Sequence, residues 1–219
     1  WAALALAQLE RACAEAGEPE SLEAASALRS AFVEAGAPDA ISACAVALGI
    51  ARDREASTAL RARLESGAAP RARGYVALAL GMVGDGGSVA RLRKLVDAST
   101  AQAELLDPAL TALVLLGDDG AIVHAADLLE DSASATSRTA LATALGRLGD
   151  ARALTALVRY FDQRAFGAAE RATALTAIGA CCDRALLRWN APLAGIANTQ
   201  GEPSALTDRL RVNGVLDLE

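Results

Sequence analysis

The chain has 219 residues, of which 53% are apolar and only 3% aromatic, and its formal net charge is −6. The acidic balance argues against a general nucleic-acid binder, and no apolar run reaches the ~18 residues of a membrane-spanning helix. Cys13, Cys44, Cys181 and Cys182 form no CxxC pair and no metal spacing. They read as small buried hydrophobes suited to a reducing, cytoplasmic compartment.

Trp1 is not an initiator methionine, so further residues are expected upstream. WAALALAQLERACAEA reads as one helix, half of a capping pair, without the basic start or cleavage pattern of a signal peptide. SLEAASALRSAFVEAG with PDAISACAVALG makes a first helical pair, and DREASTALRARLES with PRARGYVALALG a second. GGSVARLRKLVDAS with DPALTALVLLG, GAIVHAADLLEDS with SRTALATALG, and ARALTALVRYFD with AAERATALTAIG continue the series. Pro70 and Pro108 are expected in the first turn of their helices, where the missing N–H is no loss. After Cys182 the pattern fades. DRALLRW starts another helix, and residues 189–219 read as a loop-rich tail. The terminal Leu218-Glu219 has the form of a cloning scar.

The pairs are joined by one repeated corner: LGIARD, LGMVGD, LVLLGD, LGRLGD and IGACCD. Their acids, Asp53, Asp85, Asp118, Asp150 and Asp183, are separated by 32, 33, 32 and 33 residues, and a degenerate sixth corner lies near Glu18. Glycine ends a helix because it takes the left-handed conformation without a Cβ clash. The aspartate then accepts from the free N–H groups that open the next helix. Past the corner, Ile122, Ala125, Leu128 and Leu129 in one copy, and Leu154, Leu157, Val158 and Phe161 in another, form the expected buried stripe. One pair cannot cover both its apolar faces, so neighbours must stack.

These corners and pairs resemble HEAT repeats, especially the short bacterial kind related to phycobilisome-lyase repeats, over roughly residues 20–188. The resemblance implies an all-α fold: a right-handed α–α superhelix, a HEAT/armadillo-like solenoid of about five to six pairs across residues 1–188, with second helices lining the concave side. It also implies an acid in the turn within a pair facing an Arg of the second helix. Asp131 with Arg138 and Asp162 with Arg171 match, Glu65 with Arg73 matches loosely, and Ile41 and Leu106 interrupt the ladder.

Reactive constellations are sparse. His124, the only histidine, has Asp127 three residues on but falls where Arg91 sits in the preceding copy, a solvent face. The Gly-rich GMVGDGGS lacks a Walker lysine and dinucleotide spacing. Asp118-Asp119 and Glu130-Asp131 lack the alternation of a Ca²⁺ loop. Charge alternates in blocks: net −5 over 1–51, +5 over 52–94, −8 over 95–137 and +2 over 138–219. The basic block offers Arg52, Arg54, Arg61, Arg63, Arg71, Arg73, Arg91, Arg93 and Lys94 to phosphates, but Tyr75 is its only aromatic, too few for a base-stacking platform.

The expected function is therefore a non-catalytic scaffold that grips a protein partner in the groove, without cofactor or metal. Its candidate contacts are Arg71, Arg73, Tyr75, Arg138 and Arg171. The repeat resemblance also implies a bilin-lyase-like alternative handling a tetrapyrrole, and segment 52–94 a nucleic-acid alternative.

Overall fold

The computed structural model describes residues 1–17, 21–163 and 167–182. The corner at Asp183, the degenerate corner near Glu18 and the tail at 189–219 lie outside them. Eleven α-helices and no strand occur among the described residues: α1 (Ala2–Glu15), α2 (Leu22–Glu34), α3 (Pro38–Ile50), α4 (Ser57–Glu65), α5 (Pro70–Val83), α6 (Val89–Ala98), α7 (Ala103–Leu115), α8 (Gly120–Asp131), α9 (Ala135–Leu148), α10 (Leu154–Asp162) and α11 (Ala168–Cys182). By internal contact the chain divides into two compact units, Trp1–His124 and Ala125–Glu219, with the divide inside α8.

In the first unit α1, α3, α5 and α7 pack side by side in that order, and α2, α4 and α6 each lie on the second helix of their own pair. The unit's apolar contacts are built from leucine and alanine. Leu28 and Phe32 of α2, Leu48 of α3, Leu60 of α4, Leu80 of α5 and Leu110 of α7 are all buried. Each such side chain contributes about 1.5–3 kcal/mol by leaving water. In the second unit α9 and α10 pack on α11, burying Leu141, Leu145, Leu157 and Ala177.

The corners at Arg52, Gly84 and Gly117 are Schellman turns, and at the fourth the Gly149 N–H donates to both Leu145 and Gly146. At Gly84 the N–H donates to Gly81 and the next N–H, of Asp85, donates to Leu80; Gly117 and Asp118 repeat this on Val114 and Leu113. The turn requires positive φ, which Gly84, Gly117 and Gly149 supply at +79°, +75° and +65°. At the first corner the same place is taken by Arg52, at +53°.

The corner acids cap as expected at three places. Asp53 accepts from the N–H of Glu55, Asp118 from Gly120 and Asp150 from Arg152. Asp85 differs, because its carboxylate takes the Ser88 hydroxyl instead.

The first glycine of the corner has a separate role. A Cβ on Gly81 would lie 2.6 Å from the Ala112 Cα, and one on Gly146 2.6 Å from the Ala177 Cα. Gly49 sits the same way against Ala79, at 3.2 Å from its Cα. These glycines let consecutive second helices touch backbone to backbone.

Three sequence expectations are corrected. Pro108 lies inside α7, which begins a turn earlier, at Ala103. Its missing N–H leaves the Glu104 carbonyl without its helical donor, and Gly74 packs against that oxygen, where a Cβ would come within 2.2 Å. In α10 the inward face is Ala156, Leu157 and Tyr160, while Val158 is exposed and Leu154 and Phe161 are half-buried. The 3₁₀ turn at Ala151–Ala153 ahead of α10 sets this phase and brings Ala153 inside. Cys44 and Cys181 are buried as expected, but Cys13 is half-buried and Cys182 exposed.

Candidate functional site

Residues spaced i, i+4, i+7 and i+11 share one face of a helix. On α3 these are Asp39, Ala43, Val46 and Ile50; on α5, Arg71, Tyr75, Leu78 and Met82; on α7, Glu104, Pro108, Thr111 and Leu115. None of them is buried, whereas Ala45, Val76, Ala77 and Ala109 between them are fully covered. Because α3, α5 and α7 are neighbours, the three stripes form a grid. One row is charged: Asp39, Arg71 and Glu104. The remaining rows are mostly apolar and end in Ile50, Met82 and Leu115. The equivalent positions of α9 and α11 in the second unit include Thr136, Thr143, Thr173 and Thr176, so the apolar character belongs to the first unit.

Of the predicted contacts, the structure brings Arg71 and Tyr75 together on this grid. The Arg71 guanidinium lies 6.0 Å from the centre of the Tyr75 ring, a cation–π contact that leaves the charge exposed.

The other candidates lie elsewhere. Arg73, one side of α5 away, donates from Nε to the Leu64 carbonyl at 2.9 Å and so caps the end of α4. Glu65, its expected partner, meets Arg91 at 2.7 Å instead. Arg138 joins α9 to α11. Its Nη2 and Nε donate to Oε1 of Glu170 at 2.7 and 3.0 Å, and its Nη1 to the Ser132 carbonyl at 3.0 Å. The two side chains are 12% and 15% exposed. The Arg138 hydrogen bonds hold the Glu170 carboxyl below the usual carboxylate range. Beside the pair, burial pushes the Tyr160 phenol up, against hydrogen bonding from Thr139. Arg171 is exposed on the first turn of α11.

A set of ion pairs absent from the sequence reading runs through the first unit. Arg29, Arg61 and Arg93, each on a first helix, reach the acid that opens the next first helix: Asp53 at 2.8 Å, Asp85 at 3.6 Å and Asp118 at 2.6 Å. The Arg93–Asp118 pair is two-pronged, and it holds the Asp118 carboxyl below its ordinary value. The signal was in the sequence as an arginine recurring every 32 residues, 24 or 25 ahead of a corner acid. Along the same layer Arg63 donates to the Phe32, Val33 and Ala35 carbonyls that end α2, and His124 meets Asp97 at 2.6 Å rather than Asp127.

Five members of the basic block, Arg61, Arg63, Arg73, Arg91 and Arg93, are thus engaged with acids or carbonyls of the chain itself. Among the described residues no group of three or more His, Cys, Asp or Glu side chains is placed to hold a metal ion, and no helix is long and apolar enough to cross a membrane. No protein-family model matches the chain, and comparison with curated proteins gives no significant match.

Proposed function

We propose that the first unit is a short HEAT-like, right-handed stack of helical pairs, and that the exposed face of its second helices binds a protein partner without catalysis. One observation carries this reading: the apolar grid of Val46, Ile50, Leu78, Met82 and Leu115, bordered by the charged row at Asp39, Arg71 and Glu104. Half-exposed apolar groups held on rigid neighbouring helices, with a polar border, suit a docking surface that excludes water at its centre. Arg71 and Tyr75 are the best-placed anchors, since Arg and Tyr are enriched where binding energy concentrates. Arg73 and Arg138 are holding groups of the fold, so they leave the list of contacts.

The 32–33-residue period and the paired helices support the repeat assignment. The nucleic-acid alternative loses support because much of the basic block is engaged internally. The tetrapyrrole alternative rests on the repeat resemblance alone.

The test is a pair of surface variants, Leu78→Asp and Arg71→Glu, assayed against a purified partner. Each is expected to lower affinity at least about tenfold, as for loss of a central contact, while leaving the helical circular dichroism unchanged. Undiminished binding by both variants would remove the grid as the docking face.

A further inference from the structure

A cleft of about 580 Å³ opens in the first unit between the end of α1, the start of α2 and the corner that follows α3. Its volume is in the range of small-molecule sites. Its apolar lining includes Leu28 and Ile50, and Leu22, a large apolar side chain on its wall, is 83% exposed.

The charged groups of the lining sort into two kinds. The acids are all held by this chain. Glu10 accepts from the Ser21 N–H at 2.9 Å, Glu15 pairs with Arg11 at 2.9 Å, and Arg29 holds both Asp53 and Glu55 at 2.8 and 3.0 Å. Arg52 and Arg54, two residues apart on the same wall, meet no carboxylate or carbonyl among the described residues. The cleft therefore presents two uncommitted guanidiniums above an apolar floor.

Arg52 carries a second mark. It is the positive-φ non-glycine residue of the described chain, at a corner position that holds Gly84, Gly117 and Gly149 in the other copies. A branched or long side chain is strained there. Strain kept at the wall of a cleft, where glycine would serve the turn better, points to a use for the side chain.

We infer that this cleft binds an organic anion with an apolar body. Its carboxylate or phosphate sits between Arg52 and Arg54, whose planar forks match either group. Its apolar part lies against Leu22, Leu28 and Ile50. The cleft shares Ile50 with the docking face, but its arginines and its other apolar residues are separate from that face.

The experiment uses the full chain and the fluorescent probe anilinonaphthalene sulfonate, an apolar anion. The probe is expected to bind saturably and to be displaced by decanoate or decyl phosphate but not by decanol. Competition by decanoate points to a carboxylate ligand, and competition by decyl phosphate to a phosphate one. Arg52→Gly installs the residue of the other corners, so it is expected to fold with an unchanged or higher melting temperature. It should nonetheless weaken the probe and its competitor about tenfold, the loss of one charge-assisted hydrogen-bonding group. Arg54→Ser should do the same. Three results would overturn the inference: no saturable binding by the parent chain, displacement by decanol as strong as by decanoate, or unchanged binding by the Arg52→Gly, Arg54→Ser double variant.

Discussion

Gly81 of α5 lies so close to Ala112 of α7 that a β-carbon on it would stand 2.6 Å from the alanine's Cα. Gly146 and Ala177 repeat the relationship in the second unit at the same distance. A glycine inside a helix ordinarily costs about 1 kcal/mol relative to alanine. Here the cost is offset by the close approach of two helix backbones and the packing that it allows.

The first prediction is a reversal of sign. Gly81→Ala and Gly146→Ala should gain helix propensity and still destabilise, by about 1–3 kcal/mol, because the added methyl meets backbone that cannot move aside cheaply. Gly74→Ala should behave likewise, since its methyl would meet the Glu104 carbonyl. Urea unfolding of each variant measures this. Midpoints raised above the parent's would contradict the packing role.

The second concerns acid. Arg93 holds the Asp118 carboxyl below its ordinary value in the folded chain. A depressed folded pKa gives stability that is fully present above the unfolded value of about 4 and is lost as pH falls through the folded value. Melting temperatures followed from pH 7 to below 4 should fall at the acid end. Asp118→Asn should be less stable at pH 7, with a shallower acid decline, because the amide cannot titrate. Parallel curves would show that the pair contributes nothing across this range.

The third separates fold from surface. Arg138→Met strips the Glu170 carboxylate of its charged donor, leaving it the Gly167 N–H, and takes the Arg138 donor from the Ser132 carbonyl in a largely covered place, so the melting temperature should drop by several degrees. Arg71→Met removes an exposed group and should shift it little. Differential scanning calorimetry ranks the two, and equal losses would mean that Arg71 also supports the fold.

What the sequence disclosed and what it hid follow from the range of the cause. Gly149 was readable because its reason is local: a turn needs positive φ, and only a few residues give it. Gly146, three positions earlier, looked like part of the same turn signal. Its reason is Ala177 on the next second helix, which no local pattern reveals. Asp53, Asp118 and Asp150 were readable as caps, yet the pairing of Asp53 and Asp118 with Arg29 and Arg93 comes only from stacking. Arg138 was matched to a neighbouring acid because turn and helix adjoin in sequence, whereas the packed partner is Glu170, 32 residues on. The Val158 error arose from phase, since the 3₁₀ turn at Ala151–Ala153 rotates α10 before its apolar face is set. The grid itself was half legible: Arg71 and Tyr75 stood out by type, while Leu78, Met82 and Leu115 differ from the buried apolar residues beside them only in exposure, which residue type does not reveal.

The docking face is tested most directly by site-specific photo-cross-linking. A benzophenone side chain is placed in turn at Leu78, on the grid, and at Val33, exposed on the first helix α2, and each variant is mixed with the same purified partner. Efficient cross-linking from position 78 with little or none from position 33 is the predicted result. Cross-linking from position 33 alone, or equally from both, would contradict the assignment of this face.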